Sequence, residues 1–167
     1  MSDGLRAEIE NLLTNGSPHE GYFIPRRNYF LGRWIRYCGW YPGFQLRFFR
    51  KGKARLNDRK IHEAFLIDGP IGYLTHDIIH HTHPTIHETL SKVNEYSTLR
   101  AQEKAGRKRV TALDLVLRPL AAFLQFYILK QGFRDGVYGL MVSMIHAITN
   151  AQTYMKIWEL QNVPRTA

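Results

Sequence analysis

The sequence predicts an α+β fold in which a block of short strands is followed by a helical tail. Three observations support this class. Apolar residues near the N-terminus recur at helical spacing, residues 22–81 contain short extended runs separated by glycine and proline, and helical spacing returns from Thr85 onward. Because strands and helices do not alternate as in βαβ units, the chain is expected to divide into residues 1–83 and residues 84–167.

The first predicted helix covers residues 4–14, where Leu5, Ile9, Leu12 and Leu13 share one face. The segment NGSPHEG that follows has the composition of a turn. Six short runs then have the character of strands separated by loops. These runs are YFI, NYFLG, FQLRFF, HEAFLI, GYL and DIIHH.

Three helices are predicted in the C-terminal half. They cover residues 86–99, 110–129 and 135–160, and KQGFRDG forms the turn between the last two. The run 137–155 lacks Asp, Glu, Lys and Arg, but its Ser143, His146 and Asn150 are costly in hydrocarbon, so a packed or interfacial helix is favoured over a span. The apolar segment 119–129 is too short to span a bilayer on its own.

The composition indicates one globular domain with an anionic partner. The 167 residues are 44% hydrophobic and 13% aromatic, with a net charge of +9. Nucleic acid, an anionic membrane surface and a phosphorylated small molecule all suit this charge. Cys38 is the only cysteine, which excludes an internal disulfide, and it is expected to be a buried small hydrophobe. The N-terminal residues do not resemble a signal or transit peptide.

Basic residues precede the apolar helices. They are Arg100, Lys104, Arg107, Lys108 and Arg109. Such an arrangement suits the surface of an anionic membrane, although a solvated helix end has the same composition.

Five histidines fall between Thr75 and Leu90. A metal cluster is considered and not favoured, because Pro84 separates His83 from the following helix and the strand-like pattern keeps the others from helical spacing. His80 alone is retained as a candidate functional residue. The five are His76, His80, His81, His83 and His87.

Residues 24–74 mix arginine with aromatic side chains, which suits either single-stranded nucleic acid or a sugar-phosphate cleft. The strings PRRNYFLGRWI, GWYPGFQLRFFRKGKAR, IHE and GYLTHDIIH occur there in order. Together they resemble the bacterial family-two glycosyltransferases of the lipopolysaccharide-core glucosyltransferase type. The resemblance continues through NEYSTL, RPL, LKQGFRDGVYGL and KIWELQ, and so covers nearly the whole chain.

This resemblance implies a GT-A fold and inverting transfer of a hexose from a nucleotide sugar to a glycan acceptor. Residues 1–83 would form the acceptor-side portion, and residues 84–167 a helical tail at the membrane. The implied donor- and acceptor-binding residues are Gln45, Arg47, Arg50, Glu63 and His80, with Arg47 and Arg50 facing the donor diphosphate.

The resemblance also implies a divalent cation, Mg²⁺ or Mn²⁺, with His62 as a ligand. Glu63 would orient His62 or bind an acceptor hydroxyl, and it is the one candidate considered for catalysis.

The sequence departs from the family in two respects. The nucleotide-binding βαβ region and its Asp-x-Asp are not found, and Gly43 stands where the family has the aspartate that would act as general base. The chain is therefore expected to be the C-terminal half of a GT-A domain, inactive by itself, whose donor half could be encoded separately. The alternative is a non-catalytic remnant that binds a membrane or a partner. Nucleic acid is not expected as a partner, and the expected location is the cytoplasm, at the inner face of the bacterial inner membrane.

Overall fold

Short strands fill the N-terminal part of the computed structural model and helices the C-terminal part. The structure describes residues 1–56, 65–106 and 109–164. The helices of these ranges are α1 (Asp3–Asn15), α2 (Ile86–Lys104), α3 (Ala112–Leu124) and α4 (Gly136–Asn162). A π-helical turn (Gln125–Leu129) and a 3₁₀ turn (Gly132–Asp135) lie between α3 and α4. The strands are β1 (Gly21–Ile24), β2 (Arg26–Phe30), β3 (Arg33–Trp34), β4 (Gln45–Phe49), β5 (Ala54–Leu56), β6 (Phe65–Ile67), β7 (Ile71–Tyr73) and β8 (Ile78–His83).

The first compact unit comprises Met1–Tyr29 and Trp40–Thr82. Its main sheet has the order β4-β1-β7, with β1 antiparallel to β4 and parallel to β7. Burial of apolar surface holds this unit together, at a gain of about 25 cal/mol per Å². Its core cluster consists of Leu5, Tyr22, Ile24 and Leu74.

A bulge interrupts the pairing of β1 with β4. Tyr22 lies opposite Phe48 and Phe23 lies opposite Leu46, so Arg47 is the extra residue of β4. A bulge leaves its extra residue outside the regular pairing and can redirect its side chain. Arg47 is exposed at this position.

Two further small sheets have the order β3-β2-β8 and β5-β6. The predicted strand NYFLG is split, because Leu31 and Gly32 form the turn between β2 and β3. Their φ angles of 48° and 78° are both positive, as a tight two-residue hairpin requires. Leucine is an unusual residue for this conformation, so Gly32 is the residue of the pair that marks the turn in the sequence.

The second compact unit comprises Phe30–Gly39 and His83–Ala167. The Nζ atom of Lys156 on α4 lies 2.7–2.8 Å from four oxygens of α2, which share its three N–H donors. These belong to the Asn94 carbonyl and side chain, Ser97 and Thr98. The NEYSTL string on α2 and the KIWELQ string on α4 are therefore in direct contact, and this contact of Lys156 with Asn94, Ser97 and Thr98 is called the polar clasp.

The string QGFRDGVYG connects α3 with α4, and the backbone at its two glycines Gly132 and Gly139 is closely packed. A Cβ atom added at Gly139 would collide with the carbonyl oxygen of Gly132, and one at Gly132 would lie 2.6 Å from the Cys38 sulfur. Both glycines are thus required by close packing. Cys38 is fully buried, as predicted, and burial raises the pKa of its thiol.

The described residues form a mixed α+β structure with small sheets and a helical tail. In α3 and the π turn, the run Ala112–Leu129 is apolar and long enough to cross a membrane by length and composition alone. The sequence analysis considered residues 119–129 by themselves too short. The helix predicted over 110–129 is confirmed, and it begins at a capping box formed by Thr111 and Asp114, so the apolar run starts at Ala112 and not at Pro119.

Candidate functional site

A buried carboxylate lies at the polar centre of the first unit. Asp77 is 7% exposed, and its Oδ2 accepts hydrogen bonds from Arg27 Nε at 3.0 Å and Arg27 Nη2 at 2.6 Å. The phenol of Tyr41 also bonds to the Asp77 side chain, and its pKa is raised by burial and by the Asp77 charge. Asp77 Oδ1 is buried and has no hydrogen-bond partner among the described residues. A buried polar atom in this state marks a place where a ligand group or water can bind.

The segment Trp40–Phe44 is held beside this carboxylate by Asn28. The buried Asn28 donates from Nδ2 to the Trp40 carbonyl at 2.9 Å and accepts from Thr82 Oγ1 at 3.4 Å. Gly43 lies in the same segment, and a Cβ atom there would be 2.8 Å from the Trp40 carbonyl oxygen. The observed backbone at Gly43 therefore does not accommodate the aspartate side chain that the resemblance would place there.

Two arginines of the first unit form a positive pair. Burial, followed by the charge of Arg47, lowers the pKa of Arg26. Arg26 Nε is buried without a hydrogen-bond partner in the described part of the chain, where neither arginine forms a salt bridge. Adjacent guanidinium groups that lack carboxylates are suited to bind phosphate oxygens.

The two arginines predicted to face the donor diphosphate have different surroundings. Arg50 Nε lies 3.3 Å from Glu20 Oε2, and the Arg50 N–H donates to the Glu20 carbonyl at 2.9 Å. Arg47 makes no such pair within the described ranges. Gln45, the next predicted residue, begins β4 and donates from Nε2 to the Phe44 carbonyl at 3.0 Å.

The histidines of segment 75–90 have separate surroundings. His80 is half-buried on β8, His76 Nδ1 contacts Glu8 Oε2 at 2.9 Å, and the His81 ring lies 5.0 Å from that of Tyr29. His83 ends β8, near the ring of Phe30, and His87 is exposed in the first turn of α2.

No group of three His, Cys, Asp or Glu side chains that could hold a metal ion occurs among residues 1–56, 65–106 and 109–164. His62 and Glu63, the predicted metal ligand and its neighbour, lie outside the described residues.

An apolar stripe, defined by six exposed residues, runs along α3 and the π turn. Only 11% of Ala112–Leu129 is buried. Each member except the last has another member three or four positions further along the chain, which places them on one helix face. They are Leu113, Val116, Leu117, Leu120, Leu124 and Ile128.

Sequence reasoning missed the role of Arg26, Arg27, Tyr41 and Asp77, although all four belong to strings that carry the resemblance. The mixture of basic and aromatic residues in these strings indicated a binding region. It does not indicate which arginine forms an ion pair with which carboxylate.

The comparisons with known proteins point to one enzyme class. The chain is 28% identical over 162 residues to the lipopolysaccharide core biosynthesis glycosyltransferase LpsC of Rhizobium meliloti (strain 1021). The match covers 95% of this chain and 60% of the relative, so the chain spans less than two thirds of that protein. No protein-family model matches the chain, and no solved structure matches it. The similarity to LpsC supports a glycosyltransferase relationship, in agreement with the resemblance identified in the sequence.

Proposed function

We propose that this chain provides the acceptor-side portion of a glycosyltransferase with a GT-A fold. The complete enzyme would transfer a hexose from a nucleotide sugar to a lipopolysaccharide-core or other cell-envelope glycan. The observation that carries the proposal is the 28% identity to LpsC across 95% of the chain. A match of this extent includes both the strand region and the helical tail.

The cleft of this enzyme would be formed by the first unit. Arg26 and Arg47 would bind the donor diphosphate, where a fixed positive charge stabilises the leaving group as negative charge develops. Gln45, Glu63 and His80 would bind sugar hydroxyls. The described residues do not gather the ligands of a divalent cation, so no step is assigned to one, and His62 stays a predicted ligand.

A second candidate is a non-catalytic module that binds the glycan or a partner. Gly43 favours this alternative, because glycine has no proton acceptor and the backbone leaves little space for a side chain. The buried Asp77 does not readily replace the missing base, since Arg27 holds its Oδ2 and its other oxygen, Oδ1, is buried.

The apolar stripe of α3 supports a location at a membrane surface. An exposed apolar face of this extent is unusual on a soluble domain. The net charge of +9 favours an anionic leaflet, and Arg109 lies shortly before α3. We place the chain peripherally at the cytoplasmic face of the inner membrane.

The experiment that tests the function measures radiolabelled hexose transfer from a panel of nucleotide sugars to lipopolysaccharide-core acceptors, with Mg²⁺ or Mn²⁺ present. We expect the chain to transfer no more sugar than its His62→Ala variant when tested alone. We expect transfer when the polypeptide equivalent to the remainder of LpsC is added. Transfer by the chain alone would overturn the module alternative, and failure with the added polypeptide would overturn the catalytic proposal.

A further inference from the structure

An open, mainly polar cleft lies within the second unit, and none of its lining residues is among those assigned to sugar transfer. Its volume is about 540 Å³. Three arginines line it together with one carboxylate, so the cleft has an excess of positive charge. The lining residues are Arg33, Trp34, Arg36, Tyr37, Arg134 and Asp135.

Aromatic rings support each of the three arginines. The Arg36 guanidinium carbon lies 4.4 Å from the Trp34 ring centre, and that of Arg134 lies 4.4 Å from the ring centre of Tyr37. Arg33 lies 5.1 Å from the Tyr138 ring. Rings at this distance attract the cation and restrict its motion, so that less entropy is lost when the guanidinium binds a ligand.

The carboxylate of the cleft accepts hydrogen bonds from the backbone and, in the part of the chain that the structure describes, forms no salt bridge with the three arginines. Asp135 is 6% exposed and accepts from the N–H groups of Arg36 at 3.3 Å and Tyr37 at 2.8 Å. These bonds hold the backbone of the segment that carries Arg33 and Arg36. Within the described residues Arg33, Arg36 and Arg134 form no salt bridge, and all three are exposed.

We propose that this cleft binds a phosphate group attached to a sugar or to a lipid headgroup. The guanidinium fork matches two phosphate oxygens at once, and the arginines present several such forks to a single ligand. Trp34 and Tyr37 hold two of these guanidinium groups against their rings at the cleft. This site does not depend on the proposed transfer of sugar, because none of its residues belongs to the catalytic proposal.

Calorimetric titration of the full chain with mannose phosphate tests one source of the ligand. Sedimentation with vesicles of phosphatidylglycerol and phosphatidylcholine, compared with phosphatidylcholine alone, tests the other. The test variant carries Arg33→Gln, Arg36→Gln and Arg134→Gln. The matched control carries Arg6→Gln, Lys53→Gln and Arg55→Gln, which removes the same charge from exposed positions of the first unit. A third variant replaces the same cleft arginines with lysine.

We expect the glutamine variant to bind at least one probe about tenfold or more weakly than the natural chain. Each hydrogen bond between a guanidinium group and the phosphate contributes strongly to the binding free energy. We expect the control to change binding by less than about twofold, and the lysine variant to bind more weakly than the natural chain because it lacks the fork. Loss with mannose phosphate identifies a sugar phosphate, and loss with vesicles alone identifies a lipid headgroup. The proposal is overturned if the folded chain binds neither probe, if the control loses as much as the cleft variant, or if lysine substitutes without loss.

Discussion

Asp77 shows how a single residue organises the candidate site. Its side chain is 8% exposed, whereas that of its partner Arg27 is 35% exposed, so the pair lies at the boundary between core and solvent. The Ser2 hydroxyl also donates to the Asp77 carbonyl at 3.0 Å, which ties the start of α1 to the same position. Asp77 therefore links the N-terminal helix, β2 and the segment Trp40–Phe44.

Replacing Asp77 with asparagine tests this linkage. The change removes the charge that satisfies Arg27, and we expect the free energy of unfolding to fall by about 2 kcal/mol. Urea denaturation followed by circular dichroism measures it. The control Asp68→Asn, at an exposed position, should change stability by less than about 0.5 kcal/mol. Equal stability of the two variants would show that the Arg27–Asp77 pair does not organise the unit.

His146 makes stability depend on pH. Burial, followed by the charges of Lys130, Arg100 and His83, lowers the pKa of His146 from 6.5 to about 4, and its ring stacks on Phe126 at 3.6 Å. Because the folded pKa lies below the unfolded one, the unfolded chain binds the extra proton first as pH falls. The stability associated with neutral His146 is therefore fully present above pH 6.5 and is lost on acidification toward pH 4.

Urea titrations at several pH values measure this dependence. As the pH falls from 6.5 to about 4, the free energy of unfolding of the natural chain should decrease by up to about 3 kcal/mol more than that of the His146→Gln variant. The glutamine side chain does not titrate in this range. The comparison with the variant cancels the carboxylates that titrate in the same range. Parallel pH profiles for the two chains would mean that His146 is not buried in its neutral form.

At the scale of elements, the helices of the second unit depend on polar clasps as well as apolar packing. The three N–H donors of Lys156 are shared among four oxygens of α2. Within α3, Arg118 Nε contacts Asp114 Oδ1 at 3.3 Å, which stabilises that helix itself. A smaller apolar cluster of Ala101, Val110 and Ile157 lies in the same unit. The contact of Lys156 with α2 therefore adds a polar attachment between α4 and α2 to the apolar packing of this unit.

Substituting Lys156 with methionine keeps the aliphatic stem and removes the donor. We expect the free energy of unfolding to fall by about 1–2 kcal/mol. The decrease is no larger because the ammonium group is partly exposed to solvent. Thermal unfolding of this variant, beside Lys104→Met at an exposed position of α2, provides the measurement. A midpoint unchanged from the natural chain would contradict a clasp role for Lys156.

The elements differ in how far the sequence predicted them. Helical periodicity anticipated α1, α2, α3 with its π turn, and α4 to within about five residues, because their apolar residues recur at helical intervals. The hairpin at Leu31 and Gly32 and the bulge at Arg47 were not anticipated, since both depend on pairing between strands. The residues of the candidate site differ in the same way, and Gln45 and Arg47 stay predicted site residues. Arg47 and Gln45 come from a string, whereas Arg27 and Asp77 are 50 positions apart and meet only in the fold.

At the scale of the whole molecule, basic charge and the apolar stripe predict two contributions to membrane binding. Each Lys or Arg near an anionic surface contributes about 1 kcal/mol, and salt screens it, whereas burial of apolar faces is little affected by salt. Replacing Arg107, Lys108 and Arg109 with glutamine should therefore weaken binding to anionic vesicles. Binding to neutral vesicles should remain as it was.

Vesicle sedimentation at low and high salt measures both contributions. Leu113→Ser with Leu120→Ser provides the complementary variant, because it reduces the apolar stripe without changing charge. This variant should weaken binding to both vesicle types. If the folded chain binds neither type, the stripe of α3 contacts protein, and the membrane location is wrong.

The central claim is that the first unit belongs to the acceptor side of a glycosyltransferase. The most direct test is calorimetric titration of the full chain with deacylated lipopolysaccharide-core oligosaccharides. We expect specific binding that weakens by about tenfold in Gln45→Ala with Glu63→Gln, because each lost bond to a sugar hydroxyl contributes about 0.5–1.5 kcal/mol. The control Gln102→Ala with Glu10→Gln, at exposed positions, should bind as the natural chain does. A folded chain that binds no core oligosaccharide, or that loses affinity equally in both variants, would contradict the claim.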